Sequence, residues 1–412
     1  DETDALSPSV ASMIRNILYG DRWAKNEFGT SSRDYMIPDC FGFPANMPSV
    51  LAHCGIRGFS SQKLTWGSAV GIPFEIGVWE GPDGNGIVSA LNPGSYNSRL
   101  IPPLHKNSKK LEKLTRLGEE NGIWKSFQYY GVGDIGGAPT EGSVGRALSS
   151  IEHAEEVDPD LMIKQGSSDE FFSLVTDDER EKMDRYRGDL LLVNHSAGSL
   201  TSAAMMKRWN RKNEQMAFAG EAAAVTALWK VGRKYPARKI KSAWFRTIGN
   251  QMHDILPGTS TPIAYEYSHN DEIVALATWD AILKDSATAV APYVKGTGEI
   301  LVFNPIGEAR NDPVDFVLTD WSEKPIAHPV IVTAEGKLLG VVSVQKIIDA
   351  MAEMQVELAK GTNPLSGLPG NVSLEKELEI KLAVGSPCSL VYADLDNFKV
   401  YNDVYGFSNG DK

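Results

Sequence analysis

Between residues 49 and 100 the chain is dense in glycine and proline and carries only short apolar runs, such as Ile72-Pro-Phe-Glu-Ile-Gly-Val-Trp79. Such a texture cannot make long helices. It suits short strands joined by long loops at the end of an α/β sheet, which is where sheets of that class place ligands. The texture changes twice downstream. From about Ser202 to Val294 alanine-rich, tryptophan-bearing segments repeat at helical spacing and break at Tyr235-Pro236 and Pro257-Gly258, which predicts a helix bundle. From Gly296 runs such as Glu299-Ile-Leu-Val-Phe, Val314-Asp-Phe-Val-Leu and Pro329-Val-Ile-Val-Thr turn β-like. A chain of 412 residues is too long for one ordinary domain, so these shifts are read as domain boundaries.

Upstream of the glycine-rich stretch, Val10, Met13, Ile14, Ile17 and Leu18 give residues 8–27 an amphipathic helical stripe. The loop Tyr129 to Gly142 precedes a helix over 143–154, and Asp189-Leu-Leu-Leu-Val-Asn194 is a strand candidate. Val344, Ile347, Met351, Met354 and Leu358 form a stripe that fits an amphipathic linker helix or a short dimer seam. Forty-one basic against 53 acidic side chains give a net charge of −12, which excludes binding through neutralised phosphates, so no nucleic-acid partner is expected. No apolar run reaches the length of a membrane span, so no membrane partner is expected either. Three cysteines, Cys40, Cys54 and Cys388, do not make a disulfide framework and are read as free thiols. The compartment stays open, with the cytoplasm slightly favoured, and oligomerisation stays open too.

Four stretches carry chemistry. They are Met36-Ile-Pro-Asp-Cys-Phe-Gly-Phe-Pro44 with the following Ala52-to-Trp66 and Trp79-Glu-Gly-Pro-Asp-Gly84 blocks, Tyr130-Gly-Val-Gly-Asp-Ile-Gly-Gly-Ala-Pro139, Asn194-His-Ser-Ala-Gly-Ser199, and Gly249-Asn-Gln-Met-His-Asp-Ile-Leu-Pro-Gly-Thr-Ser260. Together they resemble the catalytic region of the glycoside hydrolase family 38 α-mannosidases, over about residues 1–338. The resemblance implies a zinc-dependent enzyme that hydrolyses terminal α-mannosides with retention, using two carboxyl groups. It makes Asp39 both nucleophile and zinc ligand, Asp134 the acid/base, and His253 a second zinc ligand. It places Trp66, Trp79, His195 and Asp254 around an α-mannoside or a mannose-containing oligosaccharide. On the residues alone, Trp66 and Trp79 fit stacking platforms or core equally, and Asp134 could be a turn residue. The family's His-x-Asp zinc pair upstream of its nucleophile has no counterpart before Asp39, so two zinc ligands are expected where four would serve, and impaired activity with them.

Asn363-Pro-Leu-Ser-Gly-Leu-Pro-Gly-Asn371 and Tyr392-Ala-Asp-Leu-Asp-Asn-Phe-Lys-Val-Tyr-Asn402 resemble the first half of a GGDEF domain, the diguanylate cyclase module. Carried over, Asp394 is a Mg²⁺ ligand, Lys399 a phosphate contact, and Asn402 and Asp411 guanine contacts. Phe407 departs from the histidine usual there, and the Gly-Gly-Asp-Glu-Phe signature does not occur, so the module is read as degenerate.

The expected architecture is therefore α/β: a partial parallel-sheet (β/α) catalytic domain over 1–198, N-terminally truncated, and a helix bundle over 199–295. The start of a β-sandwich follows over 296–338, a linker helix over 339–360, and a truncated α+β GGDEF-like segment over 361–412. The alternative function is a signalling protein whose GGDEF-like segment binds GTP or a cyclic dinucleotide, or an inert fusion fragment.

Overall fold

The first helix shows how local chemistry sets the frame. The Ser9 side chain accepts from the Ser12 amide and starts α1 (Val10–Phe28), and Gly29, at φ 74°, ends it in the left-handed region that favours glycine. Met13 and Ile17 are buried on its inner face. In a computed structural model, the chain is described over residues 2–293, 304, 308–309, 330–332, 338–341 and 379–380.

The strands β1 (Asp34–Met36), β3 (Gly58–Ser60), β4 (Ile76–Glu80), β5 (Gly86–Ala90) and β6 (Arg185–Arg187) form one sheet in the order β1-β3-β5-β4-β6. Pairs β1–β3, β3–β5 and β4–β6 are parallel and β4–β5 is antiparallel, so the sheet is mixed, with a three-strand parallel half. Gly42–Phe43 (β2) and Leu190–Leu191 (β7) make a separate antiparallel ribbon. The strand expected over 189–194 is thus two residues long; a lone bridge from Leu192 to Ser68 extends it.

Alternation along the strands divides the core. Phe59, Trp79 and Ile87 pack with Phe43 on one side of the sheet, while Ile76, Val78 and Val88 pack with Phe171 and Phe172 on the other. Phe43, Phe59 and Trp79 form an aromatic cluster with ring centroids 5.2–6.5 Å apart. The short helices α2 (Met47–His53), α3 (Ser108–Asn121), α4 (Glu141–Glu152), α5 (Ser168–Ser173) and α6 (Asp177–Lys182) complete this part. Helix α4 starts where Thr140 accepts from the Ser143 amide.

The helix bundle consists of α7 (Ala204–Val231), α8 (Ala237–Gly249) and α9 (Pro262–Val290), broken at the two sites expected from proline and glycine. Its core sets Trp244 against Trp279 at 5.6 Å among small residues such as Ala217 and Ala224, which let the helices approach closely. Helix α7 also holds α1: Glu214 accepts from the Ser9 amide and the Ser12 hydroxyl, and Arg15 pairs with Glu221.

Glu272 is fully buried on α9, where burial pushes its carboxyl up to about 7 even though Asn213 donates to it. The folded state therefore binds a proton that the unfolded chain releases near its ordinary value. Stability from this group is full below about pH 4.5 and is lost as pH rises through 7. The loss is on the order of 3 kcal/mol. Glu272→Gln should remove that slope, so denaturant unfolding at pH 5 and pH 8 should show the variant gaining on the parent at the higher pH.

Two compact units divide the chain near residue 297. In the second unit, Val330–Val332 (β8) pairs antiparallel with Leu338–Val341 (β9). A strand thus stands at 339–341, where the linker helix was expected to begin; the rest of that helix lies outside the described residues. So do most of the expected β-sandwich and the GGDEF-like positions Asp394, Lys399, Asn402 and Asp411.

Candidate active site

Three neighbouring parallel strands point their carboxyl ends the same way, and each is followed by a polar residue that reaches one place. Asp39 follows β1, Lys63 follows β3 in the 3-10 turn Lys63–Trp66, and Tyr96 follows β5. The Tyr96 hydroxyl is 2.7 Å from Oδ2 of Asp39 and 3.0 Å from Oδ1 of Asp134. One phenol thus joins the two carboxyl groups singled out in the sequence. The Lys63 ammonium, buried, stands 3.5 Å from Oδ1 of Asp39 and 4.4 Å from the centroid of the Trp66 ring. Burial, then the two carboxylates, raises the Tyr96 phenol well above its ordinary value, so it stays a donor at neutral pH.

Asp134 has φ 64°, a backbone conformation uncommon for residues other than glycine, although asparagine and aspartate are the most tolerant of it. Neighbouring Gly133 lies flat against Tyr96: a Cβ there would come within 2.1 Å of the ring. Its amide donates to the Asn97 side chain, which ties the loop back to the Tyr96 segment. A strained polar residue held by close backbone packing is a recurrent feature of functional loops.

His253 follows α8 in an irregular turn and is 93% buried, its ring Nδ1 3.1 Å from the carbonyl oxygen of Glu2. Carboxylate oxygens of Glu2 and Asp39 and a ring nitrogen of His253 lie within 4.8 Å of one another. Burial raises the Glu2 carboxyl above its ordinary value, against the pull of His253. Asp254 approaches the His253 Nε2 to 3.7 Å and accepts from the Thr259 hydroxyl. One imidazole and two carboxylates are a donor set that fits zinc, with coordination positions left over for a ligand.

The other expected residues divide. Trp66 is half exposed and meets His195 edge to face at 4.7 Å; Phe41 stands 6.4 Å from the same imidazole. These side chains wall the approach to Lys63 and Asp39. Burial, with Lys63 beside it, lowers the His195 imidazole below its ordinary value, which keeps it neutral. Trp79 contradicts the expectation. It is fully buried in the aromatic cluster and donates to the Gly188 carbonyl, so it holds the sheet together and has no face free for a sugar. A His-x-Asp triplet does occur in the chain, at His269–Asp271, but it lies on α9 outside the ligand cluster, and Asp271 stands 3.5 Å from Arg246. Both free cysteines among the described residues keep their thiols; Cys40 is buried and donates to the Thr3 carbonyl.

Tyr96, Lys63 and Glu2 were not foreseen. Tyr96 sits in a glycine-containing turn directly after an apolar strand, a signal that was readable; Glu2 is 37 positions from Asp39 and gave none.

Paired carboxyl groups at the strand ends of such a sheet are the arrangement of a glycoside hydrolase catalytic domain. Comparisons with known proteins agree. Residues 1–189 match the glycosyl hydrolases family 38 N-terminal domain and residues 194–290 the alpha mannosidase middle domain. Alpha-mannosidase G of Dictyostelium discoideum is 32% identical over 268 residues, 64% of this chain and 23% of that protein. Alpha-mannosidase 2C1 of Homo sapiens is 28% identical over 309 residues, 74% of this chain and 28% of the relative. The crystal structure of an alpha-mannosidase from Enterococcus faecalis V583 superimposes with a TM-score of 0.54 at 18% identity, covering 70% of this chain and 33% of that one, a likeness of fold. Over its first 290 residues the chain belongs to glycosyl hydrolase family 38. It spans about a quarter of the length of the curated relatives it matches. Residues 362–412 match the diguanylate cyclase GGDEF domain.

Proposed function

We propose that the chain carries the catalytic centre of a retaining, zinc-dependent α-mannosidase, with Asp39 as nucleophile and Asp134 as acid/base. The spacing of the two carboxyl groups carries this reading. Hydrogen bonds of 2.7 and 3.0 Å through one phenol oxygen hold Asp39 Oδ2 and Asp134 Oδ1 no more than 5.7 Å apart. Retaining glycosidases keep their carboxyl groups about 5–5.5 Å apart; inverting ones need roughly 6.5–9.5 Å to admit water.

A phenol has one proton to give. The shorter of its two bonds runs to Asp39, and the longer one holds Asp134 alongside. The first step needs a charged nucleophile and a protonated acid. Asp39 attacks the anomeric carbon as Asp134 protonates the departing oxygen, and a covalent mannosyl ester forms. Asp134, now a carboxylate, takes a proton from water, which attacks the same carbon, frees Asp39 and restores the starting state. Lys63 sets a positive charge 3.5 Å from Asp39, and Trp66 offers an exposed ring to the apolar face of the sugar. A zinc ion on Asp39 and His253 would orient mannose hydroxyls and stabilise charge.

Purified chain supplied with zinc and an aryl α-mannoside should release mannose first as the α-anomer, followed by proton NMR, and chelator should abolish release. The β-anomer as first product, or release indifferent to chelator, would refute this assignment. The match of residues 362–412 supports a second, independent activity only if that segment binds a guanine nucleotide, which calorimetry with GTP would decide.

A further inference from the structure

We infer that Glu2 is a metal ligand, so that this chain binds a zinc-class divalent ion through Glu2, Asp39 and His253. The inference deepens the proposed function at the same site, and its test reads metal binding alone.

The three donors come from three separate stretches of chain, and the backbone fixes how they meet. Residues 2–4 run antiparallel to residues 251–253. The His253 amide donates to the Glu2 carbonyl at 3.1 Å, the Asp4 amide donates to the Gln251 carbonyl at 2.6 Å, and Thr3 and Met252 form an isolated bridge. The Thr3 hydroxyl adds a bond to the Gln251 carbonyl. From the other side the Cys40 thiol donates to the Thr3 carbonyl at 2.9 Å, which ties the residue after Asp39 to the residue after Glu2. Thr3 and Asp4 are buried. Glu2 is therefore carried on a short extended segment clamped between the His253 turn and the Asp39 loop. Preorganisation of this kind from supporting bonds is what orients ligands in metal sites.

The imidazole supplies the second observation. His253 is more than nine-tenths buried, and its Nδ1 stands 3.1 Å from the Glu2 carbonyl oxygen and 3.4 Å from a Glu2 carboxylate oxygen. Asp254 is 3.7 Å from Nε2, beyond hydrogen-bonding reach. A buried imidazole steadied by a backbone carbonyl and neighbouring carboxylates is a common setting for a metal-binding histidine. Around it, the Glu2 and Asp39 carboxylates come within 4.8 Å of a ring nitrogen and of each other, with Asp254 3.7 Å from Nε2 and Lys63 3.5 Å from Asp39. A divalent ion would neutralise that crowding. The donor set, two oxygens and one nitrogen, excludes soft thiophilic ions and leaves open positions, as in three-ligand catalytic zinc sites.

The full 412-residue chain, stripped with chelator, should take up one equivalent of Zn²⁺ by titration calorimetry. Glu2→Gln keeps the backbone clamps and the side-chain shape but removes the charge. It should weaken Zn²⁺ about tenfold or more, as should Asp39→Asn and His253→Ala. Thermal unfolding without metal checks that Glu2→Gln is folded, and the rise in melting temperature on adding Zn²⁺ should be reduced to match. Unchanged Zn²⁺ affinity in Glu2→Gln beside weakened Asp39→Asn and His253→Ala would overturn the role of Glu2. Absence of Zn²⁺ binding in the parent chain would overturn the site. Failure of mannoside hydrolysis with Zn²⁺ binding intact would leave this inference standing and refute the function proposed above.

Discussion

Asparagine in place of Asp39 should lower hydrolysis of an aryl α-mannoside by on the order of 10⁴. The change is nearly isosteric, and Asp39 is only partly buried, so the fold should be untouched and the melting temperature close to that of the parent. What disappears is the charged oxygen that forms the bond to the anomeric carbon, together with its attraction to Lys63. Steady-state kinetics with an activated leaving group, alongside circular dichroism, checks both halves of this expectation. Activity within tenfold of the parent would remove Asp39 from the nucleophile's role.

Gly133→Ala should have the second-largest effect, through a single methyl group that touches no substrate. Its Cβ would lie 2.1 Å from the Tyr96 ring edge, so the ring must move. Moving it breaks the bridge between Asp39 and Asp134 and displaces the acid/base loop at once. Misplacement of catalytic groups by about 1 Å costs roughly 100-fold in rate, and kcat should fall by that order with little change in melting temperature, because the loop is exposed. Tyr96→Phe separates the causes: it keeps the ring and deletes the bridge, and a smaller loss than in Gly133→Ala would assign the remainder to displacement of Asp134. A Gly133→Ala enzyme with parental kcat would mean that the Tyr96 bridge is dispensable.

Several features needed only the order of residues. The stripe through Met13 and Ile17 predicts α1, and the breakers at Pro236 and Pro257-Gly258 mark the ends of the bundle helices, because periodicity and backbone restriction are properties of local sequence. Asp39, Asp134 and His253 were singled out because the runs around them resemble one family, and periodicity alone pointed to none of them. The two tryptophans show the limit. Trp66 and Trp79 look alike along the chain, yet one lies at the rim of a strand-end turn and the other in the layer between Phe43 and Phe59, and burial depends on which face of the sheet is covered.

The amino-acid sequence by itself therefore determined the α/β class and the breaks between the bundle helices, which follow from spacing within a segment, while the resemblance to family 38 singled out Asp39 and Asp134. Tertiary structure alone decided that Tyr96 joins those carboxyl groups, that Lys63 faces Asp39, and that Glu2 stands beside His253 across 251 positions of chain. The reason is physical. Contacts between distant segments are set by how strands pair and which faces bury, and those are properties of the whole packed domain.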